Sequence, residues 1–199
     1  MILTEKPPVS LSVHGQNYPI LTDFRDVIEY AAHMDPDAGD REIILSVYEM
    51  YKRNGLILRT DLFLAALERL NWFIACGEKQ KSRPSNSVLG INRNRPFDFE
   101  IDGGLIYSAF VQTYEIDLYE VEYMHWWKFN ALLADINKDC RFSKVMEYRT
   151  IDLKNKNLSK EQKKLYSALQ GYYKITEDKS QEEKDFIKAL MEGRDPLKQ

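Results

Sequence analysis

The chain has 199 residues, of which 44% are hydrophobic and 12% aromatic, so it can bury a core without disulfides or a structural metal. Its 28 basic and 31 acidic residues give a formal net charge of −3, which argues against nucleic acid as a partner. Two cysteines are too few for a disulfide framework and fit a reducing compartment. The first residues do not read as a leader, and no apolar run reaches the ~18 residues of a membrane span, so we expect neither export nor a membrane.

Residues 1–77 predict a short β-hairpin followed by three helices. Residues 9–13 alternate between apolar and polar side chains, turn-forming residues follow at 14–17, and Pro19 confines the second strand to a sheet edge. A residue able to cap a helix precedes each run of apolar side chains at helical spacing. The predicted caps and stripes are Thr22 or Asp23 with Phe24, Val27, Ile28 and Ala31, then Asp40 with Ile44, Val47, Tyr48 and Tyr51, then Thr60 with Phe63, Leu67, Leu70 and Ile74.

Residues 78–96 contain five basic residues and one acid, and they predict an exposed, flexible basic loop. Beyond it, residues 97–175 predict a helical core, and residues 176–199 predict a charged helix that is only weakly anchored. We expect all of these segments to form one compact unit. The predicted class is mainly α, with about six to seven helices and a short N-terminal β-hairpin.

Within the predicted core, apolar spacing indicates one helix across residues 99–111 and a second that begins near Leu118, with Asp117 as its cap. Helical spacing continues over residues 142–148. Ser159 and Gln162 then form a capping box that opens a later helix. The side chains expected on one side of that helix are Leu165, Leu169, Tyr172 and Tyr173.

Metal and catalytic patterns are weak throughout the sequence. Residues 98–103 imitate the opening of a calcium loop, but its twelfth position, where a carboxylate should close the shell, is Ala109. We therefore interpret Phe97, Phe99 and Ile101 as facing inward and the neighbouring acids as facing water. The three histidines lack zinc-like spacing, and no nucleophile elbow or phosphate loop occurs, so we expect no metal, no cofactor and no catalytic residue.

Residues 97–127 contain seven acids and no Lys or Arg, interleaved with nine aromatic residues. Aromatic residues anchor interfaces, and surrounding acids would steer a basic partner toward them. The alternative interpretation places the aromatic rings in the core and the acids on a solvated face. An enzyme is a further alternative, with a polar cleft around His125 and Glu122 one turn away on the same helix face.

Several motifs follow one another in this part of the chain, and the most distinctive is His-Trp-Trp-Lys-Phe at residues 125–129. The others are Phe97-Asp98 with residues 105–110, then Tyr114-x-Ile116-Asp117-Leu118, and Tyr148-Arg149-x-x-Asp152-Leu153. In these motifs the chain resembles the bacteriophage "gene product fifteen" family. This family occurs in phages and prophages that have long non-contractile tails and infect Gram-positive bacteria. The resemblance extends more loosely over the whole chain, including Asp23-Phe24-Arg25.

The resemblance implies a role in tail morphogenesis inside the host bacterial cytoplasm. Genes of this family typically lie between those for the tail tube and the tape measure, which is the place of tail assembly chaperones. Such a chaperone would keep the helical tape measure protein soluble until tube subunits polymerise around it. The expected partner is the tape measure protein. The resemblance leaves open whether a companion tail assembly chaperone, tail tube subunits or a second copy of this chain also bind. The alternative is a minor structural tail protein retained in the virion.

No catalytic residue is implied by the resemblance. It singles out a set of motif residues and leaves open whether their rings belong to the core or to an interface. That set is Tyr107, Phe110, Tyr114, His125, Trp126, Trp127, Lys128 and Phe129.

Overall fold

The computed structural model describes residues 4–33, 40–51, 60–77 and 96–175. Within these ranges it contains a two-stranded antiparallel hairpin and seven α-helices, which confirms the predicted mainly α fold. The predicted basic loop lies outside the described residues except for Pro96, and the predicted C-terminal helix over 176–199 lies wholly outside them. No helix in the described part of the chain is long and apolar enough to span a lipid bilayer.

The chain divides into two compact units, Met1–Lys144 and Val145–Gln199. The boundaries predicted at residues 77 and 97 stay predictions, because most of the loop between them is not described. The elements, in chain order, are β1 (Ser10–Val13), β2 (Gln16–Pro19), α1 (Phe24–His33), α2 (Asp40–Tyr51), α3 (Phe63–Ile74), α4 (Gly103–Tyr114), α5 (Trp126–Ala134), α6 (Arg141–Thr150) and α7 (Lys160–Tyr172). A 3-10 turn at Thr60–Leu62 leads into α3.

The hairpin forms where the alternating pattern predicted it. β1 pairs antiparallel with β2, with Val13 opposite Gln16 at the turn. His14 and Gly15 have φ values of 48° and 80°, the positive pair that a tight turn matching the strand twist requires. Leu11 and Val13 are buried, so one face of the hairpin belongs to the core of the first unit.

The buried face of α2 is rotated by one position from the predicted stripe. Ile43 is buried and Ile44 is 40% exposed, whereas Val47 and Tyr51 are buried as predicted. Tyr51 lies fully inside, where its hydroxyl donates to the carbonyl of Ala66 at 2.8 Å and burial raises its pKa. Neighbouring apolar positions satisfy helical periodicity almost equally well, and only the elements packed against α2 choose between them.

The prediction of a helix that begins near Leu118 is wrong. Residues 115–124 form no helix, and α5 begins at Trp126. The carboxylate of Asp117 accepts hydrogen bonds from the Tyr107 hydroxyl at 3.0 Å and the Tyr119 amide at 2.8 Å. It therefore stabilises a turn rather than the N-terminus of a helix, as aspartate side chains commonly do.

In the second unit, α7 begins with the predicted capping box. The Ser159 hydroxyl accepts from the Gln162 amide, and the Gln162 side chain accepts from the Ser159 amide. The predicted stripe is only partly covered among the described residues, because Leu165 is 57% and Tyr172 79% exposed. Tyr173 stacks on Tyr148 with ring centroids 6.0 Å apart, which joins the end of α7 to α6.

Candidate functional site

His125, the first residue of the distinctive motif, is the N-cap of α5. Its Nδ1 accepts a hydrogen bond from the Trp127 amide at 3.0 Å, and its Nε2 lies 3.1 Å from the Pro8 carbonyl oxygen. An amide can only donate and a carbonyl can only accept, so the ring is neutral with its proton on Nε2. Desolvation lowers the pKa of His125, and the hydrogen bond to Pro8 opposes that effect.

The prediction that His125 and Glu122 share one helix face, as an enzyme site there would require, is wrong. Glu122 lies in the non-helical connection before α5, so it does not sit one helical turn from the imidazole. The His125 ring packs edge-on against Phe73 at 5.7 Å, and both of its nitrogens are engaged by the backbone. This histidine therefore acts in the structure as a helix cap that ties the N-terminal segment to α5.

Both tryptophans of the motif bind the C-terminus of α3. The Trp126 indole N–H donates to the Ile74 carbonyl at 2.9 Å, and the Trp127 indole N–H donates to the Phe73 carbonyl at 2.8 Å. The last carbonyls of a helix lack partners within it, and these indoles supply them. Gly77 follows with φ of 78°, and a Cβ there would lie 3.0 Å from Cη2 of Trp127.

The remaining motif aromatics build a stack in the core. Phe129 lies between Phe24, at 4.6 Å between centroids, and Phe110, at 5.1 Å, and both rings are nearly parallel to it. Phe110 and Phe129 are buried, as are both tryptophans, whereas Lys128 is exposed. The buried motif residues thus specify the fold and leave little side-chain surface to a partner. Their partner-binding role stays a prediction.

Asp23 and Arg25, at the start of α1, hold the connection between α4 and α5 in place. The Asp23 carboxylate accepts from the Met124 amide at 2.9 Å and pairs with the Arg25 guanidinium at 3.1 Å. Arg25 Nη2 donates to the carbonyls of Leu118 at 2.8 Å and Val121 at 2.6 Å. We call Asp23 and Arg25 the clamp. Sequence reasoning noted both residues without this role, because their partners lie about a hundred positions away along the chain.

The clamped connection and the adjoining part of α4 present a group of acids and tyrosines, most of them exposed. We call it the acidic tyrosine face, and it consists of Tyr107, Glu115, Asp117, Tyr119, Glu120, Glu122 and Tyr123. Tyr119 is 81% exposed and lies 4.9 Å from the ring of Tyr107, whose hydroxyl binds Asp117. Tyr123 is 49% exposed, and its hydroxyl lies 2.8 Å from the Thr22 hydroxyl.

Hydrogen bonds keep one carboxylate of this face charged. The Tyr119 amide, and after it the Tyr107 hydroxyl, hold the pKa of Asp117 below its usual value. The same hydrogen bond to Asp117 is the largest cause of the raised pKa of Tyr107. At neutral pH the pair is therefore a phenol donating to an ionised carboxylate.

Tyr114, the other tyrosine of the predicted set, is not part of this face. It is half-buried, and its hydroxyl donates to the carbonyl of Leu132 in α5 at 2.8 Å. It therefore ties α4 to α5.

The segment that imitates a calcium loop is a hydrogen-bonded turn before α4. Asp98 accepts from the amides of Glu100 and Ile101 at 2.8 and 3.0 Å, and Asp102 accepts from the Asp98 amide at 2.9 Å. Asp102 is 2% exposed and Ile101 is 55% exposed, so the predicted inward and outward sides are wrong at these two positions. The described residues hold no group of three His, Cys, Asp or Glu side chains that could bind a metal ion.

Comparison with known proteins identifies the family of the chain. The family model described as "Bacteriophage Gp15 protein" matches residues 3–175, a range that includes α1, the clamped connection and the His-Trp-Trp-Lys-Phe motif. No curated protein and no solved structure matches the chain. On this match, the chain belongs to the bacteriophage Gp15 protein family.

Proposed function

We propose that this protein is a tail assembly chaperone that binds the tape measure protein before the tail tube forms. It would act in the host bacterial cytoplasm during infection or prophage induction, in a phage with a long non-contractile tail that infects a Gram-positive host. Family membership supports a role in phage biology. The gene position that the family resemblance implies, between tube and tape measure, supports a role in tail assembly.

The observation that carries the proposal is the exposure of large apolar side chains on the described surface. Tyr119 and Leu64 are 81% and 75% exposed. They lie on the connection before α5 and on α3, so the first unit offers more than one exposed contact point. A long helical partner with apolar stripes could be covered by such contacts and released when tube subunits compete for it.

Co-expression of the tape measure protein with and without this chain tests the proposal. We expect the tape measure alone to be insoluble, and the two together to purify as a soluble complex. A tape measure that is equally insoluble in both cases would contradict the proposal.

The composition of finished virions separates the chaperone from a structural tail protein. We expect mass spectrometry of purified particles to detect tube and tape measure peptides but none from this chain. Its recovery in virions at a fixed ratio to the tape measure would favour the minor structural protein instead.

A further inference from the structure

The acidic tyrosine face has a fixed geometry although it contains no helix beyond α4 and no strand. The ring of Tyr119 lies against Tyr107, and both residues bind the carboxylate of Asp117. Tyr119 nevertheless exposes 81% of its surface, so most of the ring is free for contact. An aromatic side chain that is already positioned loses little conformational entropy when a partner covers it.

The clamp fixes the backbone beneath these side chains. Arg25 binds the carbonyls of Leu118 and Val121, on either side of Tyr119 and Glu120, and Asp23 binds the amide of Met124. The connection therefore has the hydrogen bonds of an ordered turn rather than those of a solvated loop. Ordered surface turns with outward-facing aromatic rings are typical of binding sites.

The charge of the face is strongly one-sided. Glu115, Glu120 and Glu122 are exposed, and none of them forms an ion pair with another residue that the structure describes. The guanidinium of Arg25, the positive group of the clamp, is already engaged by Asp23 and the two carbonyls. A partner group that fits here must bring positive charge and a surface that stacks on a tyrosine ring.

We infer that the acidic tyrosine face binds an arginine-bearing helical segment of the partner, with a guanidinium stacked on Tyr119 and paired with the flanking carboxylates. Arginine fits better than lysine, because its planar guanidinium stacks on aromatic rings and pairs with carboxylates through two hydrogen bonds. This inference rests on the proposed function in taking the tape measure as the source of the segment.

Peptides that tile the tape measure sequence test the inference directly. We expect the chain to bind those with clustered arginines, and to bind them more weakly as salt rises, because exposed charges are screened. Replacing each arginine of a bound peptide by lysine should weaken binding, and replacing it by glutamate should abolish it. Binding that depends neither on the arginine content of the peptide nor on the salt concentration would overturn the inference.

Matched variants locate the contact on the chain. Tyr119→Ala should weaken peptide binding about tenfold or more, as expected for an interface anchor. Tyr172 on α7 is similarly exposed, at 79%, so Tyr172→Ala is the matched control and should leave peptide binding unchanged. The triple-lysine variant Glu115→Lys, Glu120→Lys and Glu122→Lys should abolish binding. The matched control Glu49→Lys, Glu68→Lys and Glu147→Lys makes the same charge change at exposed positions and should not.

Measuring the solubility of the tape measure with the wild type and with the variant distinguishes a failure of this inference from a failure of the proposed function. If the triple-lysine variant at 115, 120 and 122 still solubilises the tape measure as the wild type does, the face is not the docking surface, and the proposed function stands. If the wild type does not solubilise the tape measure, the proposed function fails. A synthetic arginine-rich helical peptide then decides the inference, which stands if Tyr119→Ala weakens binding and falls if the peptide is not bound or binds the variant equally well.

Discussion

The indole N–H of Trp127 donates a hydrogen bond to the carbonyl of Phe73 at 2.8 Å, across 54 positions of the chain. It fastens the first turn of α5 to the last turn of α3, and the neighbouring Trp126 does the same for the carbonyl of Ile74. The two tryptophans therefore do more than fill space. They provide partners for carbonyls that the helix itself cannot satisfy.

Replacing Trp127 separates its packing from its hydrogen bond. We expect Trp127→Ala to lower the free energy of unfolding by roughly 3 to 5 kcal/mol, because it leaves a cavity in a buried aromatic cluster. Trp127→Phe should lower it by about 1 to 2 kcal/mol, because the Phe73 carbonyl keeps its hydrogen bond from the Cys76 amide. Urea denaturation followed by circular dichroism gives both values. A Trp127→Phe variant as stable as the wild type would show that the indole N–H contributes nothing, and equal losses in the two variants would contradict the expected contribution of packing.

Two glycines should respond to alanine with opposite signs. At Gly77 the φ of 78° and the 3.0 Å approach to Trp127 both oppose a Cβ, so we expect Gly77→Ala to cost roughly 1 to 2 kcal/mol. Gly171 lies within α7, and a Cβ added there would meet nothing within 4 Å, so Gly171→Ala should be neutral or stabilise by up to ~1 kcal/mol. Thermal melts of both variants check the contrast, and a destabilised Gly171→Ala would contradict it.

Stability should fall on mild acidification because of His125. Its pKa in the folded chain lies below the ordinary value of 6.5, so the unfolded chain takes up a proton first as the pH drops. The stabilising contribution is therefore complete above pH 6.5 and is lost as the pH falls toward the folded-state pKa. Protonation also ends the role of Nδ1 as acceptor for the Trp127 amide.

The matched control for this pH effect is His125→Asn, which keeps a side chain able to cap α5 but cannot titrate. We expect the wild type to lose more stability than this variant between about pH 7.5 and 5.5 in parallel urea titrations. The acids and the other histidines are common to both proteins and cancel in the difference. A difference that does not change with pH would contradict the prediction.

Removing the clamp should loosen the connection before α5. Arg25→Ala deletes the hydrogen bonds to the carbonyls of Leu118 and Val121, and we expect it to cost about 1 to 3 kcal/mol, since bonds to a charged donor are the stronger kind. Hydrogen exchange followed by mass spectrometry should show faster exchange over residues 115–124. The amides of α7 are the internal reference. Unchanged exchange in the connection would show that the clamp does not hold it.

The fold was predictable where local chemistry decides the structure. The alternating residues 9–13, the turn at His14 and Gly15, and the capping box of Ser159 and Gln162 all act within a few positions of one another. The family resemblance was predictable for the same reason, since its motifs are short and distinctive. The identity of the buried face of α2 was not, because Ile43 and Ile44 fit the helical period almost equally well.

By itself, the sequence determined the mainly α class, the hairpin, the capping box of α7 and the family, since each of these follows from residues that are neighbours along the chain. Only the tertiary structure decided that α5 begins at Trp126, that the motif tryptophans bind α3, and that Tyr119 faces outward on a clamped turn. These features depend on hydrogen bonds between residues 52 to 101 positions apart. Such partners cannot be inferred from local periodicity, because they are selected when distant segments pack together.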